Sequence, residues 1–379
     1  MSDKLILKMA VNVPLSRDFD YLPAADGPVP AVGQRVLVPF GRRQQVGLVM
    51  AHAGETRVPG DKIRRVADTL DANPLLDASD LWLIRFTSDY YHHPIGEVVA
   101  AALPTLLRQG KPLHPTVERI AITDAGERSD SGPLGKRAPR QAELLALLVD
   151  AGGDGLDADT LTEMMPTWRR AIRGLIEKGL VATFTARADD YDERLAAEKV
   201  AGPVLNDEQS RALAELRQSD AFAAYLLDGV TGSGKTEVYL QRVQDVLDQG
   251  KQALLLVPEI GLTPQLVARL GERLGLQPAL LHSGLSDNAR LAAWRAARSG
   301  AARLIVGTRS AVFVPMKNPG LIIVDEEHDH SFKQQEGLRY SARDLAIARA
   351  KRLDVPVILG SATPTLEMLQ HCRSGTYRH

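Results

Sequence analysis

Eight consecutive residues, GVTGSGKT from Gly229 to Thr236, carry the most specific chemistry in the chain. Their spacing is G-x-x-x-x-G-K-T, preceded by the strand-like run AYLLDG and followed by a helical pattern. Gly229, Gly232 and Gly234, with the small Ser233 among them, let backbone N–H groups converge on phosphate oxygens with no bulky side chain in the way. Lys235 adds a point charge for the β- and γ-phosphates, and the Thr236 hydroxyl is of the type that ligates Mg²⁺. Strand, loop and helix in this order mark a phosphate loop. Such a loop needs an acidic partner at the end of a buried strand, and LIIVDEEHDHS supplies one. Asp325 follows four apolar residues and so emerges at the carboxyl edge of a sheet, placed to hold Mg²⁺ through water, with Glu326 beside it to polarise an attacking water. The two motifs together predict hydrolysis of a nucleoside triphosphate.

Two weaker signals refine this. LNDEQ places Asn206 and Gln209 upstream of the loop, and a carboxamide can pair both edges of adenine, so Gln209 points to ATP. Downstream, VPVILGSATPTLE carries Ser361, Ala362 and Thr363 at another strand end, where small hydroxyl residues either relay the state of the γ-phosphate site or cap the strand.

The elements that must position these groups fall into three compositions. Residues 1–110 hold short β-prone runs (LILKMAVNV, GQRVLVPF, QVGLVMA) punctuated by Pro and Gly, predicting a small sheet or barrel, then helices over Ala78–Tyr91 and Ile95–Leu103. Residues 111–195 begin with an exposed linker around 123–139, followed by the helical segments QAELLALLVDA, DADTLTEMM and TWRRAIRGLIEKG and a β-run, LVATFTA. That pattern fits an α+β winged helix, a module that serves protein contacts as well as DNA grooves. In residues 196–379 continuous apolar strands alternate with amphipathic helices, the signature of an α/β parallel sheet buried on both faces, with ligands at the carboxyl ends of its strands.

Global properties exclude several classes. At 379 residues the chain suits two to three domains, and 44% hydrophobic with 25% charged residues rules out global disorder. Lys+Arg number 46 against 47 Asp+Glu, so nucleic-acid contact must come from local patches. The single cysteine, Cys372, excludes a disulfide scaffold or a Cys-based zinc cluster. No apolar run of bilayer length and no signal-peptide pattern occur, so a cytoplasmic protein without membrane association is expected.

Taken in order, LNDEQ, GVTGSGKT, VPEIGLTPQ, LHSGLSDNAR, GTRSAVFVP, DEEHD and GSATP resemble the superfamily 2 helicases, and most closely the replication-restart helicases of the PriA (primosomal protein N′) family. VPLSRDFDYL, RVLVPFG and YYHHPIGEV resemble that family's amino-terminal DNA-binding domain. The resemblance implies a multidomain fold: a β-rich domain for DNA 3′ ends, a winged helix and a RecA-like lobe. It also implies an ATP-dependent 3′-to-5′ DNA helicase that recognises stalled forks and starts primosome assembly.

Residue by residue, it makes Phe19 a stacking platform for the terminal base of a nascent strand and Asp20 an acceptor for that base or its 3′-hydroxyl, with Gly41 allowing close approach and Arg64 a nearby cation. Without it, Phe19 reads as core and Asp20 as a turn acid. Thr263, Thr308, Ser310 and Arg309 would track phosphates of single-stranded DNA, while His282 and Ser283 fit a DNA-edge or a structural role equally. SFKQQEGLRYSARDL resembles the aromatic-rich loop that couples DNA contact to hydrolysis. Here it carries Phe332 and Tyr340, with Leu338 where some members have Trp, and Lys333, Arg339 and Arg343 as phosphate contacts.

The family has a second lobe with an arginine finger, a Cys-rich zinc module and a carboxyl-terminal domain. The expectation is therefore an amino-terminal portion that binds DNA and nucleotide but turns over poorly, with zinc only in the absent part. Forked and single-stranded DNA are the implied ligands, and a single-stranded-DNA-binding protein and primosome proteins the implied partners of a monomer. Two other readings stay open: a fork-binding module without motor activity, and another superfamily 2 translocase, against which the DFDYL/PFG segment argues.

Overall fold

The computed structural model describes residues 5–129, 138–187 and 199–379. They fall into two compact units, one of Met1–Leu113 with Asp190–His379 and one of His114–Asp189. Part of the stretch expected as a linker, 130–137, lies outside the described residues, and the segment before it is ordered as a strand and a short helix, Asp124–Glu127.

The first unit opens with a six-stranded sheet: β1 (Ile6–Val11), β2 (Phe19–Leu22), β3 (Arg35–Phe40), β4 (Arg43–Ala53), β5 (Arg64–Arg65) and β6 (Asp68–Thr69), in the order β5-β2-β1-β4-β3-β6. All neighbours are antiparallel except β2 and β5. The two-residue side-chain period divides β1 between cores. Leu7, Met9 and Val11 join Tyr21, Val36, Val38 and Val49 in one cluster, while Ala10 joins Leu48 and Met50 in another. Helix Ala78–Tyr90 begins at a capping box, Asp77 with Asp80, and helix Ile95–Ala102 follows.

The second unit is a three-stranded antiparallel sheet, β8-β7-β9, of β7 (Thr116–Ile122), β8 (Leu156–Asp157) and β9 (Val181–Arg187). Helices Pro139–Ala151, Ala158–Met164 and Trp168–Glu177 cover it, with Leu144, Leu148, Leu161, Trp168 and Leu175 at the centre. Three helices with a β-ribbon are the α+β arrangement expected for this segment.

The rest of the first unit is an all-parallel sheet of β10 (Ala224–Asp228), β11 (Gln252–Leu256), β12 (Ala279–Leu281), β13 (Leu304–Gly307), β14 (Pro319–Val324) and β15 (Val357–Ser361), in the order β10-β15-β14-β11-β13-β12. Its strands bury both faces. Leu254, Leu256, Ile322 and Val324 point to one cluster, and Ala253, Leu255, Leu321 and Ile323 to the other. The first cluster also contains Leu81, Ile84, Val98 and Val99 of the amino-terminal helices. The segment expected as a separate first domain therefore shares one apolar core with the parallel-sheet lobe. No helix among the described residues is long and apolar enough to cross a membrane.

Candidate functional site

The phosphate loop sits where the sheet places it. β10 ends at Asp228, and helix Lys235–Asp248 begins directly after Gly234. Gly234 caps that helix at φ 86°, a left-handed conformation that side chains rarely adopt, and a Cβ there would run into the Gln209 amide at 2.3 Å. Gly232 also has positive φ, and the Gly229 amide donates to the Ser361 carbonyl at 3.1 Å, fastening the start of the loop to β15. Lys235 Nζ donates to the Gly229 carbonyl at 2.6 Å, so the lysine lies over the loop it serves. Thr236 occupies the first turn of the helix. Ser233 Oγ is buried with no hydrogen-bond partner. An orphaned hydroxyl, a loop-facing ammonium and a helix N-terminus fit a nucleotide polyphosphate.

Across the same edge, Asp325 follows β14, its amide donating to Leu256 O at 2.9 Å. Burial holds its carboxyl above the usual carboxylate range, and the neighbouring Glu326 charge adds to the effect. Tyr239, four residues into the phosphate-loop helix from Lys235, opposes this by donating its hydroxyl to Asp325 Oδ1 at 3.2 Å. The Tyr239 phenol, itself pushed far up by burial and by Asp325, stays a donor. Glu326 adopts φ 50°, a strained conformation for a residue with a side chain, which tips it out of the strand direction. His328 Nδ1 lies 2.8 Å from Ser361 Oγ and 3.7 Å from Glu326 Oε2. Ser361 thus touches both the phosphate loop, through its carbonyl, and the acidic segment, through its hydroxyl. Neither Tyr239 nor His328 was singled out from sequence, although both stand within a few residues of the motifs.

Gln209 stands against the phosphate loop. Its Oε1 accepts from the Asn206 amide at 3.0 Å in a capping box, and its Nε2 donates to Ser233 O at 2.8 Å. Both ends of the carboxamide are engaged here, the donor end on the loop.

The second cluster forms in the antiparallel sheet. Phe19, Asp20, Gly41 and Arg64, separated by up to 45 positions, line one cavity of about 800 Å³. Phe19 meets Phe40 edge-on at 5.2 Å between centroids, and the Arg17 guanidinium lies 5.2 Å from its ring. Arg64 donates to Gly41 O at 3.2 Å. Asp20, whose side chain is only 10% exposed, accepts from Lys8 Nζ through both oxygens, at 2.8 and 2.9 Å, and from the Thr56 hydroxyl. Strand pairing sets this up, since Lys8 on β1 stands opposite Asp20 on β2. Lys8 and Thr56 were missed in the sequence; a lone Lys in the apolar run LILKMAV was the available signal.

The remaining DNA candidates divide. Lys333 and Arg339 are exposed, and Arg309 is half-buried, donating to Ser331 O at 3.0 Å. Thr263 caps helix Pro264–Leu274, accepting from the Leu266 amide. Thr308 is buried. Arg343 requires correction: its guanidinium is buried, donating to Glu327 at 2.9 Å, Asp344 at 2.9 Å and Glu367 at 3.1 Å, so its donors are spent inside the protein. Phe332, Leu338 and Tyr340 are likewise buried and pack the lobe.

Two protein families match separate stretches of the chain. Residues 8–104 match the 3′DNA-binding domain (3′BD) family of PriA, and residues 206–371 match the DEAD/DEAH box helicase family. A replication restart protein PriA from Haemophilus influenzae is 40% identical over 99% of this chain and 51% of its own length. The Bacillus subtilis protein of the same name is 34% identical over 96% of this chain and 53% of its own, and the Chlamydia trachomatis one 34% over 99% and 51%. The chain spans about half the length of the curated relatives it matches.

Proposed function

From the premise that this chain is a relative of the PriA replication restart proteins, carrying a 3′DNA-binding domain ahead of a helicase lobe, we propose that it senses the 3′ end of a nascent DNA strand at a stalled fork. The observation that carries the reading is the setting of Asp20. Lys8 and Thr56 donate to it at the wall of the 800 Å³ cavity, beside the Phe19 and Phe40 rings. A carboxylate so placed accepts a hydrogen bond from a terminal 3′-hydroxyl and repels a 3′-phosphate. Phe19 offers its face to the last base, and Arg64 and Gly41 border the sugar.

In the helicase lobe, Gly229–Thr236 would hold the phosphates of ATP, with Thr236 and Asp325 toward Mg²⁺. Bound Mg²⁺–ATP supplies an electrophilic γ-phosphoryl group and neutralises its charge. The chain's own part is positioning. Gln209 holds the loop at Ser233, Tyr239 orients Asp325, and Glu326 is the base aimed at water. Within a whole protein of this kind the proposed activity is ATP-dependent 3′-to-5′ unwinding in replication restart, in the cytoplasm, with a single-stranded-DNA-binding protein and primosome proteins as partners. For these 379 residues taken alone, the proposal is binding with slow turnover. One lobe places the loop and the acids, and a second-lobe arginine contributes about 10³–10⁵ in rate.

The test is fluorescence anisotropy of the chain on forks ending at the junction in a 3′-hydroxyl or a 3′-phosphate. The hydroxyl fork is expected to bind more tightly, and Asp20→Ala to remove that preference by weakening the hydroxyl fork without weakening the phosphate fork. Equal weakening on both forks would sink the assignment.

A further inference from the structure

Glu237 is a buried carboxylate beside Thr236, in the first turn of helix Lys235–Asp248. It turns toward helix Pro264–Leu274, where Arg273 Nη2 donates to its Oε1. The other end of that guanidinium is taken by a segment of main chain. Arg273 Nη1 donates to the Val200 carbonyl at 2.6 Å, and the Val200 amide donates to Glu272 O at 2.9 Å. Lys199 is fixed to the same helix as Glu237, donating to Gln244. Gly202 then lies directly over the ion pair. A Cβ there would stand 1.7 Å from Arg273 Nη2 and 2.6 Å from Glu237 Oε1, so only glycine fits at this distance.

The pair is not built for strength. Arg35 and Asp71, by comparison, set two guanidinium nitrogens on two carboxylate oxygens. Arg273 gives Glu237 a single nitrogen, and both Glu237 Oε2 and Arg273 Nε are buried without a hydrogen-bond partner. Arg269, the other cation near Oε2, is 4.0 Å away and half exposed. A buried ion pair is weak evidence of stabilisation even with good geometry, and this one spends an arginine donor on Val200 instead of the carboxylate. What it does achieve is a chain of contacts from residues 199–202 to the turn that carries Lys235 and Thr236. Further on, the same segment reaches the loop a second time, where Asn206 and Gln209 close their capping box and Gln209 Nε2 holds Ser233 O. Ser233 and Glu237 bracket Gly234, Lys235 and Thr236, so one stretch of chain grips the phosphate-binding turn on both sides. Side chains at successive helical positions point about 100° apart, so fixing Glu237 also fixes the direction of Thr236.

We propose that Glu237 and Arg273 are positioning residues for Thr236, and that through them the segment Val200–Gly202 sets how tightly the site holds nucleotide with Mg²⁺. The inference rests on the reading of this lobe as an ATP site. It adds a regulatory input to that site, since residues 199–202 carry the chain into the lobe after the second unit, and a displacement there reaches the turn of Thr236 through two hydrogen bonds.

The test is the affinity of the full chain for a fluorescent ATP analogue, measured with Mg²⁺ and again in EDTA. It compares the unaltered protein with Gly202→Ala, Arg273→Gln and the double variant Glu237→Gln, Arg273→Gln. Loss of the support behind a metal ligand costs about 10–100-fold in metal affinity, so each variant should weaken binding with Mg²⁺ about tenfold. Affinity in EDTA should stay unchanged, because Lys235 and the loop amides are untouched. Gly202→Ala removes no polar group and the double variant leaves neither partner as an unpaired buried charge, so both carry the test should Arg273→Gln fail to fold. Adding Gly202→Ala to Arg273→Gln should cost little more, because the atoms nearest the new Cβ have gone. Coupling between sites runs in both directions, so hydrogen exchange of the Val200 amide should slow when Mg²⁺ and analogue are added together. Equal loss with Mg²⁺ and in EDTA would make the pair a structural tie and overturn the proposal, as would no loss in either. Exchange at Val200 that ignores saturating Mg²⁺ and analogue would overturn the role given to the segment. If the unaltered chain bound no analogue, the ATP reading itself would fall, a result distinct from these.

Discussion

Gly360 stands against the phenol of Tyr239, and adding one methyl there is a sharp test of how Asp325 is positioned. A Cβ on Gly360 would lie 1.4 Å from Tyr239 Oη and 2.7 Å from its Cζ, where ordinary contact begins at 3.4 Å. The ring must therefore retreat by about 2 Å, the difference between the first and last of those distances. It has little room to do so, being only 3% exposed in the helix that leaves the phosphate loop. Overpacking of this kind costs about 1–3 kcal/mol, and loss of the Tyr239–Asp325 hydrogen bond adds about 1–2 kcal/mol. At ~2–4 °C per kcal/mol for a unit of this size, Gly360→Ala should lower the melting temperature by about 4–20 °C. Its chemical consequence is separate. Asp325, already raised by burial and by Glu326, loses the one side-chain donor that lowers its pKa, so its carboxylate forms at higher pH. Mg²⁺-dependent binding of a fluorescent ATP analogue should then show its acid limb displaced upward. Adding Tyr239→Phe deletes the atom at 1.4 Å and should recover part of the melting temperature without restoring the pH profile. The reasoning fails if Gly360→Ala melts with the unaltered protein, or if the double variant melts no higher than the single one.

Lys235→Ala should abolish nucleotide-analogue binding while leaving fork anisotropy unchanged, since the lysine faces only the loop; a parallel loss of fork binding would show the two sites to be inseparable. Gln209→Ala should weaken ATP and GTP equally, because the carboxamide holds Ser233 rather than a base, and a loss confined to ATP would restore the base-reading role. Asp80 is buried against Arg349, and burial pushes its carboxyl up to about 7. The folded state then keeps a proton that the unfolded chain releases near pH 4, so stability falls as pH rises across that window, by up to about 1.4 kcal/mol per unit. Thermal unfolding between pH 5 and 7 should therefore be flatter for Asp80→Asn than for the unaltered chain; identical slopes would show that Asp80 is ionised throughout.

What could be read from sequence was what is local in the chain. The phosphate loop is eight consecutive residues between a strand and a helix, and its chemistry needs nothing distant, so Gly229–Thr236 could be placed without a fold. The parallel lobe was legible because burial on both faces makes its strands continuous apolar runs. Lys8 was not legible as a partner of Asp20, because the two meet only through the β1–β2 register across 12 positions. Arg343 misled for the converse reason. A cation in a polar-looking loop reads as exposed, and only the fold reveals that Glu327 and Glu367, 16 and 24 positions away, enclose it. Gln209 was seen as a nucleotide-site residue from its distance to the loop, but its orientation depends on the capping box it closes with Asn206. Phe332 and Tyr340 show the same limit, since aromatic residues near a DNA edge and aromatic residues in a core have the same letters.

The shared core between the antiparallel sheet's helices and the parallel lobe has a mechanical consequence for the two sites. Arg349 is fully enclosed and donates to the carbonyls of Val312 and Val314, at the end of the turn that carries Arg309 and Ser310, while its carboxylate neighbour, Asp80, belongs to the amino-terminal helix Ala78–Tyr90. On the same seam the Ser341 amide donates to the Tyr91 hydroxyl at 3.2 Å, and Arg298 donates to the carbonyls of Leu75 and Pro74. Packed interiors of this kind yield by discrete rearrangement rather than by smooth bending. On the function proposed above, a strand end held at Asp20 and a strand following the lobe's edge past Ser310 would be bound by one compact unit. Its packed core would then favour a DNA end whose distance from the strand satisfies both contacts at once.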